Sequence, residues 1–306
     1  MTIPHYDVIV IGGSAAGLSA AMTLGRALRN VLIIDSCDPC NVQTPRSHNF
    51  LSRDGFSPSD IIKVSLEQVL AYPNITLISG EATHAVQEDD IFRIEISTGQ
   101  SATCDKLLLA TGLRDIFPDV EGFQECWGIS VLHCPYCHGY EVRDEPTVIF
   151  ANGEAAYHLS VMVHNWSKKL TVVTNGISEL RFEEASRLEE LGVTVIEKEV
   201  SRFEHENGHV KRIAFNDGTH FETNVIYASI PFEQKTDLAE QLGCKISSHN
   251  HIEVDDEQRT TIENVFAAGD CTAQARAISV AAASGTKAGF TINLEMVLNE
   301  KMPSDK

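Results

Sequence analysis

The first 35 residues carry the pattern that most restricts the fold. An apolar segment from Tyr6 to Ile11 predicts a buried parallel strand, and a helical run follows from Leu18 to Leu28. Between them lies the glycine-rich turn Gly12-Gly13-Ser14-Ala15-Ala16-Gly17, and a second apolar segment ends on Asp35. A dinucleotide-binding fingerprint requires a strand, a glycine turn, a helix N-terminus and an acidic residue about 20 positions later, and this segment has all four. The pattern therefore predicts a Rossmann-like α/β unit.

Ser14 departs from this fingerprint, because it stands where the middle glycine is expected. We interpret the change as tolerated, since its hydroxyl group could bond a phosphate oxygen. Two later apolar segments end in small residues and are interpreted as further strand ends that meet a flavin dinucleotide. They are Lys106-Leu107-Leu108-Leu109-Ala110-Thr111-Gly112 and Asn264-Val265-Phe266-Ala267-Ala268-Gly269-Asp270.

Length and charge narrow the classes of function. A chain of 306 residues with 43% hydrophobic content is long enough for two medium-sized domains. The net charge of −19 argues against a nucleic-acid or anionic-membrane partner, because either surface would repel it. No apolar run approaches the roughly 18 residues of a membrane span, and the first residues lack a basic secretory signal. We therefore expect a cytoplasmic protein.

The segment His133-Cys134-Pro135-Tyr136-Cys137-His138-Gly139 carries the candidate chemistry. A Cys-x-x-Cys pair beside a histidine is typical of dithiol/disulfide exchange, but the same spacing occurs in zinc sites. A structural zinc site would need a second pair, and Cys37-x-x-Cys40 directly follows the strand where a cofactor's ribose is expected. The sequence therefore favours redox chemistry and predicts no metal site.

Taken in order, the motifs resemble those of the low-molecular-weight thioredoxin reductases. They are G-x-S-x-x-G, Ala-Thr-Gly, Cys-x-x-Cys-His-Gly-Tyr-Glu and Ala-Ala-Gly-Asp, and they extend over nearly the whole chain. His138 makes the chain similar to the branch with the gliotoxin-type dithiol oxidases, since ordinary members have Asp there. The resemblance implies two three-layer Rossmann-like domains of α/β class, the second inserted in the first. An FAD-binding domain would span 1–117 and 240–306, and an NAD(P)-binding-like domain 118–239.

The resemblance also implies roles for individual residues. Cys137 would lie against the flavin C4a atom, Cys134 would exchange with substrate, and His138 would be a general acid/base, with helix capping or partner contact as its alternative. The implied FAD contacts are Gly12, Gly13, Ser14, Ala15, Gly17, Asp35, Ser36, Cys37, Asp38, Cys40, His48, Asn49, Ala110, Thr111, Gly112, Asp270, Arg276, Ala277 and Ile278.

A second nucleotide-binding pattern, after the strand Thr147 to Phe150, is incomplete. Where G-x-G-x-x-A is expected, the chain has Ala151 in place of the first glycine, then Gly153 and Ala156. The next strand end, Thr174 to Ser178, carries neither a basic cluster for a 2′-phosphate nor an acid for a ribose. The pattern favours weak or absent NAD(P)H use, with an atypical but working site as the alternative.

These observations predict an FAD-dependent thiol/disulfide oxidoreductase. Its substrate would be a small dithiol or disulfide or a thioredoxin-like protein, with ferredoxin or another electron carrier as an alternative electron source. Two other functions stay open: an NADPH-dependent thioredoxin-disulfide reductase with an atypical nucleotide site, and a flavin redox sensor without turnover. The resemblance further implies a homodimer.

Overall fold

A computed structural model of the chain describes residues 3–299, so residues 1, 2 and 300–306 of the predicted FAD-binding domain lie outside the described residues. The strands are His5–Ile11 (β1), Val31–Asp35 (β2), Ile75–Ser79 (β3), Ala82–Glu88 (β4), Ile91–Ile96 (β5), Ser101–Leu109 (β6), Leu113–Asp115 (β7), Val131–Leu132 (β8), Thr147–Phe150 (β9), Leu170–Val173 (β10), Thr194–Ile196 (β11), Val200–Glu206 (β12), His209–Phe215 (β13), His220–Glu222 (β14), Val225–Ala228 (β15), Phe232–Gln234 (β16) and Val265–Ala267 (β17). The helices are Ala15–Arg26 (α1), Pro58–Val69 (α2), Phe123–Cys126 (α3), Pro135–His138 (α4), Gly153–Val163 (α5), Phe182–Glu190 (α6), Leu238–Gln241 (α7) and Ile278–Asn299 (α8).

The described chain divides into two α/β units, and the second is inserted in the first, as predicted. The first unit comprises residues 3–42, 59–114 and 232–299, and the second comprises Gln43–Pro58 and Asp115–Pro231. These boundaries differ from the predicted ones in three places, one of which is that the first unit ends at Arg114 instead of residue 117. The segment Gln43–Pro58 groups with the second unit, and the first unit resumes at Phe232 instead of residue 240.

The early return to the first unit has a packing cause. Leu238 and Ala239 of α7 are buried in the core of the first unit, and the Gln241 side chain accepts a hydrogen bond from the backbone N–H of Ala85 at 3.0 Å. The short helix therefore packs with the first unit, although it begins two residues before the predicted boundary.

The first unit is built on a sheet with the strand order β3-β2-β1-β6-β5-β4, and β17 also pairs with β6. Strands β3, β2, β1, β6 and β17 run parallel, while β4 and β5 form an antiparallel extension. Successive residues of β1 enter opposite cores: Ile9 and Ile11 on one face, Val8 and Val10 on the other. Burial on both faces explains the uninterrupted apolar sequence of this strand.

The second unit has a parallel sheet of order β11-β10-β9-β15-β8 and a separate antiparallel sheet of β12, β13 and β14. The parallel sheet is covered by two apolar clusters. One contains Phe123, Trp127 and Phe203, and the other contains Val163, Leu188 and Tyr227. Among residues 3–299 no helix is long and apolar enough to cross a membrane.

Small residues let α8 lie close to α1. A methyl group on Gly285 would overlap the carbonyl oxygen of Ala16, and one on Gly289 would lie 2.9 Å from Cβ of Thr23. Both glycines are buried, whereas Ala283 on the same helix is exposed. The small-residue pattern of the last helix therefore serves backbone approach between two helices.

We expect Gly285→Ala to lower the free energy of unfolding by about 1–3 kcal/mol, the usual cost of forcing atoms into a packed core. Ala283→Val adds bulk to the exposed side of the same helix and should change it by less than about 0.5 kcal/mol. Urea unfolding followed by circular dichroism measures both variants. Equal stabilities would contradict the assigned contact between α8 and α1.

Candidate active site and cofactor site

The two cysteines of the Cys-x-x-Cys motif form a disulfide at the end of a parallel strand. After β8 the chain remains extended through Cys134, which is the N-terminal cap of α4, and Pro135 begins that helix. Proline suits this position because its fixed φ angle is helical and its missing N–H would have no partner in the helix. Cys137, one turn later, is bonded to Cys134, with Cα atoms 5.3 Å apart.

Gly139 ends this turn where a side chain would not fit. A methyl group there would lie 2.5 Å from the Pro135 carbonyl oxygen and 2.9 Å from the indole ring of Trp166. The ring of Tyr136 meets the same indole edge-on, with centroids 5.5 Å apart. Trp166 thus supports the disulfide turn, and no sequence motif indicated it.

His138 directly follows the disulfide and is partly buried. Burial lowers the pKa of its imidazole, the Glu141 carboxylate raises it, and His48 lowers it, and the balance lies below the ordinary value. An unperturbed histidine has a pKa of about 6.5, so His138 is mainly neutral at pH 7. In this form the ring can accept a proton from a thiol.

His48 and Asn49, predicted as FAD contacts, belong to the second unit together with Glu141. Nδ1 of His48 lies 3.5 Å from Oδ2 of Asp54 and 3.6 Å from Oε1 of Glu141. Asn49 has a left-handed φ of 61°, and its N–H donates to Oδ1 of Asp54 at 2.8 Å. This hydrogen bond, followed by the one with His48, lowers the pKa of Asp54. Their contact with FAD stays a prediction.

The glycine turn of the first unit has the geometry expected of a phosphate-binding loop. Gly12 has a φ of 110°, and a side chain on it would overlap the carbonyl oxygen of Ala110. The N–H of Gly13 donates to Oδ1 of Asp35 at 2.9 Å. The helix α1 begins at Ala15, after the cap residue Ser14. The Ser14 side chain makes no capping hydrogen bond, so it leaves the first backbone N–H groups of the helix available.

Other residues predicted to bind FAD lie around the same strand ends. Ser36, Cys37, Asp38 and Cys40 are exposed after β2, and neither of these cysteines is in a disulfide. Burial, followed by the charge of Asp35, raises the pKa of Cys37.

The predicted Thr111 and Gly112 follow β6. They interact with the buried thiol of Cys271, whose pKa burial raises to about 11. Asp270 and Arg276 form an ion pair at 3.8 Å, and the predicted Ala277 and Ile278 lie at the start of α8. The structure thus gathers these predicted residues at the carboxyl edge of one sheet.

His251 is a buried residue near this group that the sequence did not indicate. Its Nε2 atom has no hydrogen-bond partner, while the pKa of its ring is lowered, chiefly by burial and then by His249 and Arg276. A buried polar atom without a partner is costly unless a ligand or water completes it. The glycine turn and the open N-terminus of α1 fit the pyrophosphate of a bound dinucleotide.

At the corresponding helix N-terminus in the second unit, a side chain already takes the first N–H group. Oδ1 of Asn152 accepts hydrogen bonds from the backbone N–H groups of Gly153 and Glu179, each at 2.8 Å. The Nδ2 group donates to the carbonyl of Ile177 at 2.9 Å. A methyl group on Gly153 would lie 3.7 Å from Oε2 of Glu179, so a carboxylate stands beside this helix N-terminus. A pyrophosphate would meet both obstacles.

The strand ends of this sheet also border a cavity of about 350 Å³ without charged side chains. It is lined by Ile116, Phe117, Pro118, Phe150, Ala151, Asn152, Thr174, Asn175, Ser229, Ile230 and Pro231. Asn175 is partly engaged, because its Oδ1 accepts the N–H of Val200 at 2.7 Å. Arg181, the nearest cation in sequence, is paired with Glu184 of its own capping box. Within the described residues, no group of three or more His, Cys, Asp or Glu could hold a metal ion.

Known proteins match the chain along nearly its full length. Residues 6–285 match the model of a family described as pyridine nucleotide-disulphide oxidoreductase. Thioredoxin reductase aclD of Aspergillus oryzae is 29% identical over 314 residues, which cover 98% of this chain and 99% of the relative. An oxidoreductase structure from Agrobacterium tumefaciens is 33% identical with a TM-score of 0.90, covering 97% of this chain and 100% of that one. TrxB from Bacillus anthracis is 31% identical with a TM-score of 0.91, covering 95% and 98%.

We expect Asn152→Ala to lower the free energy of unfolding by about 1 kcal/mol, because a helix N-cap and its hydrogen bonds to the loop after β10 are lost together. Asn165→Ala, an exposed asparagine beyond the end of the same helix, is the matched control and should have little effect. Thermal unfolding of the two variants measures the difference. A wild-type stability for Asn152→Ala would contradict the assigned cap.

Proposed function

Because the chain belongs to the pyridine nucleotide-disulphide oxidoreductase family and is thioredoxin reductase-like, we propose that it is an FAD-dependent thiol/disulfide oxidoreductase with weak or no use of NAD(P)H. Electrons would pass between FAD, the Cys134–Cys137 pair and a dithiol or disulfide substrate. The disulfide beside a neutral histidine supports the thiol chemistry. Its substrate would be a small dithiol or a thioredoxin-like protein. The homodimer, the cytoplasmic location and the alternative electron carriers stay predictions.

In the direction of dithiol oxidation, a substrate thiolate attacks the Sγ atom of Cys134, and the bond to Cys137 breaks with its electron pair on Cys137. The second substrate sulfur, once deprotonated, attacks the first, releases the Cys134 thiolate and leaves as the substrate disulfide. His138 takes up a thiol proton in this sequence. The reverse sequence reduces a disulfide, and each direction moves two electrons and two protons.

Two features of the first unit, the N-terminus of α1 and the Asp35 carboxylate, would hold the cofactor. The uncapped N-terminus of α1 suits the pyrophosphate, since backbone N–H groups and the helix dipole attract anions. Asp35 suits a ribose hydroxyl. FAD would supply a two-electron carrier for the cysteine pair.

The filled N-terminus of α5 is the single observation that carries the proposal of weak or absent NAD(P)H use. Asn152 takes the N–H group of Gly153, and the carboxylate of Glu179 stands beside it. A phosphate would have to displace the first and approach the second against like charge. At α1 the cap residue Ser14 takes no N–H group, and the Asp35 carboxylate accepts the N–H of Gly13 in the turn before the helix.

An NADPH-dependent reductase is the second candidate, and the neutral cavity at the same strand ends is the observation that favours it. Rearrangement of residues 175–181 would have to free the helix N-terminus before a nucleotide could bind. The two candidates differ in one respect, which is whether a nicotinamide nucleotide can reduce the flavin.

We therefore expect FAD-loaded protein, mixed without oxygen, to lose its flavin absorbance with dithiothreitol but not rapidly with NADPH or NADH. Glu179→Gln should strengthen residual nucleotide binding by about two- to fivefold, the range for one charge at a helix end. Glu183→Gln, an exposed neighbour, is the matched control. Rapid stoichiometric bleaching of the wild type by either nucleotide would decide for the second candidate.

We expect His138→Ala to retain FAD and to slow reduction of the flavin by dithiothreitol by on the order of 10²–10⁴, the contribution of a general acid/base. His158→Ala, on the exposed side of α5, is the control. Stopped-flow absorbance measures both rates across pH. An unchanged rate and pH profile for His138→Ala would remove His138 from the mechanism.

A further inference from the structure

The cavity at the strand ends of the second unit has mostly apolar walls and no charged side chain. Its lining residues follow β7, β9, β10 and β15 or end one of these strands, and all of them belong to the second unit. Its volume of about 350 Å³ lies within the range of small-molecule sites, about 300–1,000 Å³, at the lower end. The space therefore suits a ligand of one or two rings.

Aromatic packing holds two walls of the cavity in place. The ring centroid of Phe117 lies 6.0 Å from that of Phe123 and 5.7 Å from that of Trp127. The ring centroid of Phe150 lies 5.9 Å from that of Phe123 and 5.4 Å from that of Phe203. Favourable aromatic pairs have centroids about 4.5–7 Å apart. Both walls are thus anchored in the core of the second unit and form without a ligand.

Most polar groups of the cavity are engaged, and two remain for a ligand. The side-chain oxygen of Asn152 accepts two backbone N–H groups, each at 2.8 Å. The hydroxyl of Thr174 donates to the carbonyl of Gly176 at 2.7 Å. Within residues 3–299, neither the Ser229 hydroxyl nor the Nδ2 group of Asn175 has a hydrogen-bond partner. These two groups can bond an amide or a hydroxyl of a ligand.

The charges around the cavity disfavour an ionic ligand. No cation lines it, and Nε of Arg181 donates to Oε1 of Glu184 at 2.9 Å. The N-terminus of α5 is capped by Asn152, and the Glu179 carboxylate stands beside it, so an anion gains little there. A cation would find no acidic side chain in the lining. A charge taken out of water without a partner costs far more than a neutral polar group.

We propose that this cavity binds an uncharged aromatic ligand of one or two rings that carries an amide or hydroxyl group. The ring would lie against Phe117 and Phe150, and the polar group would bond Ser229 or Asn175. Recognition would depend on shape and on the absence of charge, unlike recognition of a phosphate. Binding involves no change of bond or oxidation state, so the site goes beyond the proposed thiol chemistry and does not require it.

A ligand in this cavity would also touch both segments that connect the second unit to the first. Ile116 and Pro231 line the cavity from these two segments, and the N–H of Ile116 donates to the carbonyl of Pro231 at 2.9 Å. Stabilising this part of the cavity slows exchange of that N–H with solvent. Hydrogen exchange at Ile116 therefore reports whether a ligand binds here and not elsewhere on the protein.

Three aromatic compounds of nearly equal size test the role of charge: neutral benzamide, anionic benzoate and cationic benzamidine. Titration of the FAD-loaded protein, followed by nuclear magnetic resonance of each compound, gives the three dissociation constants. Benzamide should bind about tenfold or more tightly than either ion, because an ion would be buried without a partner. It should also slow hydrogen exchange at Ile116.

Two variants of Ser229 and a matched control locate the binding site. Ser229→Phe places a ring in the cavity from an exposed position and should weaken benzamide binding by about tenfold or more. Ser229→Ala removes one hydrogen bond, should weaken binding by about two- to tenfold, and keeps the test valid if Ser229→Phe does not fold. Asn165→Phe adds the same ring at an exposed residue beyond the far end of α5 and should leave binding unchanged.

Tighter binding of benzamide than of both ions, lost in Ser229→Phe and kept in Asn165→Phe, would support the site. Equal or tighter binding of benzoate, no binding of any of the three compounds, or binding that leaves exchange at Ile116 unchanged would overturn it. The flavin absorbance tests the proposed function separately. A protein that dithiols fail to reduce would lose that function, while its affinity for benzamide would still decide the role of the cavity.

Discussion

Parallel strands bring most of the candidate functional groups to the carboxyl edge of a sheet, and the chemistry of each unit depends on this constraint. In the first unit Gly12, Asp35 and Ala110 stand at the carboxyl ends of three neighbouring strands. In the second, Cys134 and Asn152 follow strands of another parallel sheet. Crossover connections return each chain segment to the opposite edge, so strand ends far apart in sequence become neighbours. The strands themselves are buried, and the residues beyond their carboxyl ends are the candidate ligand contacts.

The two units differ at the helix N-terminus that follows a parallel strand. At α1 the cap residue Ser14 leaves the backbone N–H groups available, whereas at α5 the side chain of Asn152 takes one of them and Glu179 adds a negative charge. The free energy of an anion at a helix N-terminus depends on those donors and on that local field. A loop of a few residues can therefore weaken anion binding at a helix N-terminus while the surrounding fold stays the same.

The pKa of the histidine beside the disulfide is set by opposing effects and not by one strong contact. Burial and the imidazole of His48 lower the pKa of His138, and the Glu141 carboxylate raises it. The supporting turn is closely packed, since a side chain on Gly139 would overlap the Pro135 carbonyl and the ring of Trp166. Thiol exchange is helped by fixed sulfur positions and by a nearby proton acceptor. Gly139 and Trp166 serve the first, and His138 is the candidate for the second.

The sequence by itself determined the local features: the strand, glycine turn and helix of the first unit, the four-residue spacing of the cysteine pair, and the missing glycine at Ala151. These local features depend on backbone geometry within one turn or one strand, and residues close in sequence determine that geometry. Only the tertiary structure decided that α7 packs on the first sheet, that Glu179 fills the space beside Gly153, and that His48 meets Glu141, 93 positions further along the chain. Contacts of this kind depend on how the strand ends and loops come together in three dimensions, which no local pattern encodes.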